Sequence, residues 1–310
     1  MSKIELQIKP ETAPMPWEEF CKTHPPFSVG VDGYIDAGPK FDADAPHANF
    51  DHHHGVSRLE TRATCGQALI AVRMGLFQCF RDKCGPRMTV YANDCDQDVC
   101  TAWTILKHHY LADQTMNPAL NRLVSIEDML DTTAGAYPFP ADLPIMEEFA
   151  WVYEPYTQCR LAGGLEKRDA GAFKSVVSDV ENRILQHVAG KGESLPVDTR
   201  YEQVGGGKGW AMVHELGAQA RTGMFADGIR AFLSVKERKD GKWSYVIGRM
   251  SEYIKFPILR MLDTLNQAEG AEKDRWGGAT TIAGSPRIGG SKLTPDEVSR
   301  IINDSLPKTE

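Results

Sequence analysis

Apolar positions along the chain fall into short blocks with two different rhythms, and clusters of acids sit where one rhythm gives way to the other. Phe27-Ser28-Val29-Gly30-Val31 reads as a short buried strand running into Asp32. Gly33–Pro46 is a loop rich in Asp, Gly and Pro, and Ala48-Asn49-Phe50 leads on to Asp51 and three consecutive histidines. From Arg62 to Phe80, Ala63, Ala68, Ile70, Ala71, Met74 and Leu76 predict a buried helix, with Gly85-Pro86 closing that unit. Met88–Ala92 has strand character and is followed at once by Asn93-Asp94-Cys95-Asp96-Gln97-Asp98. Val99 to Tyr110 then predicts a helix, with Trp103, Leu106 and Tyr110 at helical spacing. Leu123–Ile126 predicts a further strand running into Glu127, Asp128 and Asp131. Tyr137–Pro144 is a loop, and residues 145–190 read as helical, with Phe173, Val176, Val177, Val180, Ile184 and Leu185 on one face. Residues 1–26 are broken by five prolines and predict an irregular segment with at most a short helix at Trp17–Lys22.

Beyond the Gly/polar stretch Gly190–Asp198 the pattern turns richer in strands. Gly209–His214, Ile229–Arg238 and Lys242–Met250 predict strands, the last two joined by an Asp240-Gly241 turn, and Phe256–Asn266 predicts a helix. Strands punctuated by acids and followed by helices imply an α/β fold: a mostly parallel sheet with helices on both faces, plus a smaller C-terminal mixed α/β domain. The expected domains are residues 1–190 and 198–310.

The chain has 310 residues and a formal net charge of −7, which disfavours a broad grip on duplex nucleic acid or an anionic membrane. No apolar run approaches the roughly 18 residues that a membrane span needs, and Met1–Glu5 lacks the apolar stretch of a signal peptide. A cytoplasmic location is therefore expected. The seven cysteines include two pairs at a C-x4-C spacing, Cys79/Cys84 and Cys95/Cys100. Cys65, Cys79 and Cys100 lie among apolar residues, where a reduced thiol packs as a small hydrophobe, so free thiols are expected ahead of a zinc site.

The candidate chemistry lies in Asp51-His52-His53-His54-Gly55, with Asp32, Asp36, Asp42, Asp44 and His47 upstream. Imidazole and carboxylate together form the ligand set of several divalent ions. Alternating Asp94, Asp96 and Asp98 would repel one another, so a cation or solvent has to offset them. One of them could serve simply as a helix N-cap. Near the C-terminus, Arg275 and Arg287 flank the glycine-rich Gly277–Gly284, a combination that suits an anion.

Together these motifs resemble the DHH phosphoesterases, metal-dependent enzymes with an N-terminal α/β domain and a smaller C-terminal substrate domain. Asp51-His52-His53 match the naming motif, and Asp32 matches the lone aspartate. Asp96-Gln97-Asp98 resembles the Asp-x-Asp motif, and Gly277–Gly284 resembles the glycine signature of the substrate domain. The resemblance implies a phosphoesterase acting on a nucleotide, oligonucleotide or small phosphorylated molecule, with short single-stranded nucleic acid among the partners. It implies a divalent cation, Mn2+ ahead of Mg2+, held by Asp32, His52, Asp96 and Asp98. Asp51 and His53 would be catalytic, and Gly277, Gly278, Arg275 and Arg287 would bind substrate between the two domains. Three departures stand against it. The Asp-x-Asp motif follows the lone aspartate instead of preceding it, so either the order is permuted or Asp94–Asp98 supply the family's final aspartate and the first motif is lost. Alanines 92 and 279 occupy positions where the family has histidine. Those losses favour the alternative of a catalytically degenerate phospholigand-binding protein on the same scaffold.

Overall fold

The computed structural model describes residues 3–113, 117–135, 137–270 and 272–307. The chain forms two compact units, Met1–Thr132 with Pro144–Pro196, and Thr133–Leu143 with Val197–Glu310.

In the first unit, runs of β-branched and small residues build the centre of a sheet. Its elements in chain order are β1 (Lys3–Ile8), α1 (Trp17–Thr23), β2 (Ser28–Val31), β3 (Lys40–Asp42), β4 (His47–Phe50), α2 (Thr64–Arg73), α3 (Leu76–Cys79), β5 (Arg81–Asp82), β6 (Gly85–Ala92), α4 (Gln97–Lys107), α5 (Tyr110–Asp113), α6 (Pro118–Thr132), α7 (Pro144–Val152), α8 (Glu154–Leu161) and α9 (Ala170–Val188). The strand order is β1-β6-β2-β4-β3, with β5 also paired to β6. Strands β1, β6, β2 and β4 run parallel, while β3 returns antiparallel on β4 and β5 antiparallel on β6. Short Asp-led turns cause both reversals. Asp42 Oδ1 accepts the Asp44 amide at 2.9 Å, and Asp82 Oδ1 accepts the Cys84 amide at 2.7 Å. The protein is therefore mixed α/β, and the expectation of a mostly parallel sheet is corrected to a mixed one.

Four expected elements differ. Residues 3–8 form a strand where an irregular segment was expected, because Ile4, Leu6 and Ile8 alternate with polar residues ahead of the first proline. The expected strand at Leu123–Ile126 is part of helix α6, whose buried residues Leu120, Leu123, Val124, Glu127 and Leu130 recur at helical spacing. The helical stretch 145–190 is three helices, interrupted at Tyr153 and at 162–169, where Gly163 adopts φ 70° and Asp169 caps α9 by accepting the Ala172 amide. The expected Arg62–Phe80 helix is likewise broken, at Gly75 with φ 101°.

The second unit contains β7 (Tyr201–Gly207), β8 (Trp210–Glu215), α10 (Ala220–Ala226), β9 (Ala231–Glu237), β10 (Trp243–Arg249), α11 (Ile258–Glu269), β11 (Gly277–Gly278), β12 (Ile282–Gly284) and α12 (Pro295–Ser305). Its sheet, ordered β11-β12-β10-β9-β8-β7, is antiparallel except for β8 on β9. The β9–β10 hairpin turns at Asp240-Gly241 as expected. Leu233, Ile247, Met261, Leu265, Trp276 and Ile302 pack together as its core.

Among the described residues, no helix is long and apolar enough to cross a membrane. None of the seven cysteines is in a disulfide.

Candidate metal centre

Strand β2 delivers Asp32 at its end. The residue adopts φ 50° and is followed by Gly33 at φ 77°, so the chain turns sharply out of the sheet there. An L-residue is uncommon in this left-handed region, and aspartate tolerates it better than most. The Asp32 amide still bonds to Phe50 O at 2.9 Å, so the end of β2 is fixed beside the end of β4, where the Asp51–His54 turn begins.

Asp51 organises that turn. Its carboxylate, fully buried, accepts the amides of His53 at 3.1 Å and His54 at 3.0 Å, and it lies 3.2 Å from His54 Nδ1. That bond lifts the His54 imidazole above its usual range. Both Asp51 oxygens are thus engaged by this turn, so the residue orients the histidines and makes no place in the ligand groups described below.

His52 is buried, and its Nε2 lies 2.7 Å from Asp131 Oδ2, 3.5 Å from Asp32 Oδ1 and 3.8 Å from Asp98 Oδ2. None of these contacts has hydrogen-bond geometry, and both ring nitrogens remain without a hydrogen-bond partner. A buried imidazole in that position is costly unless something else uses its lone pair. Burial opposes a charge on His52, but the attraction of Asp131, reinforced by Asp32, outweighs it and raises the imidazole to about 10.

Asp98 enters from the first turn of α4. Its Oδ2 accepts the Thr64 amide and its Oδ1 the Cys65 amide, each at 2.7 Å, so it also caps the N-terminus of α2. Burial, with Asp131 and Asp32 nearby, pushes its carboxyl up to about 7. Asp128, on α6, takes the next amide of that helix start, Ala63 N, at 2.6 Å and pairs with Arg62 at 2.9 Å.

Asp131, near the end of α6, follows the run Leu123–Ile126 that the sequence predicts as a strand, and the sequence assigns it no ligand role. Its burial is outweighed by Arg58 and His52, which hold its carboxyl below the usual range. Burial likewise pushes Asp32 up, but His53 and His52 outweigh it and keep that carboxyl well down. His53 Nε2 lies 2.8 Å from Asp32 Oδ1. The buried Glu127 is driven well above the usual carboxylate range by burial and by Asp131, Asp98 and Asp32.

Among the described residues, two groups of side chains could therefore hold a cation, Asp32–His52–His53 and His52–Asp98–Asp131, each with its ligand atoms within 4.8 Å of one another. Asp96 belongs to neither. Its Oδ1 accepts the Val99 amide at 2.9 Å as the N-cap of α4, and burial with Asp32, Asp94, Asp131 and Asp98 nearby raises its carboxyl well above the usual range. The donor set fits a divalent ion. It offers an imidazole nitrogen with no other partner and converging carboxylates whose mutual repulsion a cation would relieve. No cysteine joins either group.

The glycine motif lies in the second unit. Gly278 adopts φ 152°, and a Cβ there would fall 2.4 Å from Ala283 Cα, so the close β11–β12 hairpin itself requires this glycine. Gly277 has open space at that position. Ala279 donates its amide to Ile282 O at 2.7 Å within the hairpin turn. Trp276 anchors the motif by donating to Glu269 at 3.0 Å and stacking on Tyr245. Arg275 and Arg287 are exposed and form no ion pair among the described residues.

Compared with known proteins, the chain matches no family model and no curated protein.

Proposed function

We propose that the protein is a metal-dependent phosphoesterase, hydrolysing a phosphodiester or phosphate ester of a nucleotide, oligonucleotide or small phosphorylated molecule. The observation that carries this reading is the buried His52 Nε2, without a hydrogen-bond partner and within 3.8 Å of carboxylates from β2, α4 and α6. His52 with Asp98 and Asp131 would hold the cation, and Asp32 would complete its surroundings. The oxygen-rich set favours Mn2+ or Mg2+ over zinc. A divalent cation bound there would supply Lewis-acid polarisation of a phosphoryl oxygen. The chain's own residues do the rest. Asp51 orients the histidine turn, His53 presents a partly exposed ring beside Asp32, and Arg58 places a fixed positive charge next to His53 and Asp131. The similarity of Asp51-His52-His53, with Asp32 upstream, to the DHH phosphoesterases supports phosphate ester as the substrate class. Gly277, Arg275 and Arg287 would contact the anionic part of the substrate.

A second reading, a phospholigand-binding protein without turnover, is favoured by Ala92. It is fully buried at the end of β6 and offers no ligand where the family has a histidine. Hydrolysis of a chromogenic phosphodiester with added Mn2+ decides between the two. Turnover lost in Asp98→Ala and His52→Ala supports the enzyme, whereas metal and phosphate binding with no turnover supports the binding protein. Absence of any divalent-metal binding removes both.

A further inference from the structure

The segment between His54 and α2 is irregular, yet one of its side chains, Arg58, turns back and is largely buried. Its Nε and Nη2 donate to the backbone carbonyl of Asp131 at 3.2 and 2.9 Å, and Nη2 also reaches the Asp131 carboxylate at 3.3 and 3.4 Å. This fork grips the last turn of α6, where exposed carbonyls and the helix dipole favour a cation. The remaining nitrogen, Nη1, lies 3.3 Å from His53 Nδ1.

A guanidinium carries five N–H donors, has no acceptor and keeps its charge in proteins. The ring nitrogen facing it must therefore offer a lone pair, and a neutral His53 then carries its proton on Nε2. On that side the ring meets Asp32 Oδ1 at 2.8 Å, where a carboxylate can only accept. A donor faces Nδ1 and an acceptor faces Nε2, so one tautomer satisfies both ends.

We propose that Arg58 is a positioning residue that holds His53 in its Nε2–H tautomer against Asp32, while the same fork fixes the end of α6 that carries Asp131. The inference concerns the metal-free protein and does not depend on the phosphoesterase reading. It distinguishes the two candidate ligand groups. With Arg58 in place, a cation in the Asp32–His52–His53 group has to displace the Nε2 proton that His53 holds against Asp32, whereas the His52–Asp98–Asp131 group does not use His53.

The test uses the full chain with 15N-labelled histidine, metal-free and near neutral pH. Long-range 1H–15N correlation spectra identify each ring's protonated nitrogen, and His53→Asn supplies the assignment. The expected result is a His53 ring with its proton on Nε2, toward Asp32, and a bare Nδ1 toward Arg58. Arg58→Met should release this preference into mixed tautomers, and Arg58→Lys, which keeps a donor, should restore it. An Arg58 that only braces α6 would lower stability in Arg58→Met and leave the His53 tautomer unchanged, which overturns the proposal. So does a wild-type His53 protonated on Nδ1 or on both nitrogens. Because Arg58→Met could fail to fold, a second measurement uses the wild-type chain with 113Cd2+. Coupling of cadmium to His52 with the His53 Nε2 proton retained supports the proposal, and loss of that proton to cadmium refutes it.

Discussion

At the scale of single residues, the centre is a competition between protons and a cation for the same atoms. Asp98, raised to about 7, keeps a proton in the folded chain that an unfolded aspartate gives up near pH 4. Between those values the folded state binds more protons, so the metal-free protein loses stability as pH rises from about 4 to about 7. His52, raised to about 10, acts in the same direction over a higher window: its stabilising charge is fully present below about pH 6.5 and lost as pH rises through about 10. The melting temperature of metal-free protein should therefore fall across both windows, and Asp98→Asn should flatten the lower one. A melting temperature that rises from pH 4 to 7 in the metal-free wild type, after correction against Asp98→Asn, would contradict the assignment. The same protons must leave when a cation binds, so calorimetry of Mn2+ binding in buffers of different ionisation enthalpy should show proton release. Asp96 behaves differently. Asp96→Ala should cost about 1 kcal/mol as a lost N-cap and weaken metal binding less than Asp98→Ala does, as titration of both variants would show.

At the scale of elements, the start of α2 joins three helices. Its Ala63 amide is capped by Asp128 of α6, and its Thr64 and Cys65 amides by Asp98 of α4. A neutral, hydrophobic N-cap such as Ala63 leaves these donors open, and carboxylates from elsewhere in the chain fill the gap. Asp128→Ala should therefore destabilise the protein by about 1–2 kcal/mol in urea unfolding while leaving metal affinity nearly intact, since Asp128 sits in neither ligand group. A large loss of metal affinity with unchanged stability would show that Asp128 is a ligand. This arrangement also explains what could be read from the chain and what could not. The strand–acid pairing at Val31-Asp32 and the acids following Ala92 were visible because a period-2 block ends abruptly in carboxylates. The role of α6 was not. Leu123-Val124-Ser125-Ile126 fits a strand when viewed alone, and only the wider spacing from Leu120 to Leu130 reveals the helix that brings Asp128 and Asp131 to the centre. Nothing local to Arg58 signals that it reaches Asp131, 73 residues further on. Asp96 and Asp98 look equivalent in sequence. Their positions as N-cap and first-turn residue of α4 send one carboxylate back to its own helix and the other across to α2.

At the scale of the whole molecule, each of the two compact units has its own buried core, and residues 191–200 between α9 and β7 contain no helix or strand. Every candidate ligand belongs to the first unit: Asp32, His52 and His53 near the sheet, Asp98 on α4 and Asp131 on α6. A ligand that binds only folded protein stabilises the part that holds it, by about 2.7 kcal/mol when free ligand stands at 100 times its Kd. Differential scanning calorimetry should therefore resolve two transitions, and saturating Mn2+ should raise one of them by several degrees while leaving the other in place. His52→Ala should abolish that shift, because it removes the one ligand common to both candidate groups. A variant lacking the exposed arginines, Arg275→Ala with Arg287→Ala, should keep the full metal shift, since those residues lie in the second unit. If metal moved both transitions together, or moved only the transition altered by destabilising substitutions at Trp276, the cation would not reside among Asp32, His52, Asp98 and Asp131. Loss of phosphodiester turnover in the Arg275→Ala, Arg287→Ala variant with the metal shift kept would assign these arginines to the substrate and not to the cation.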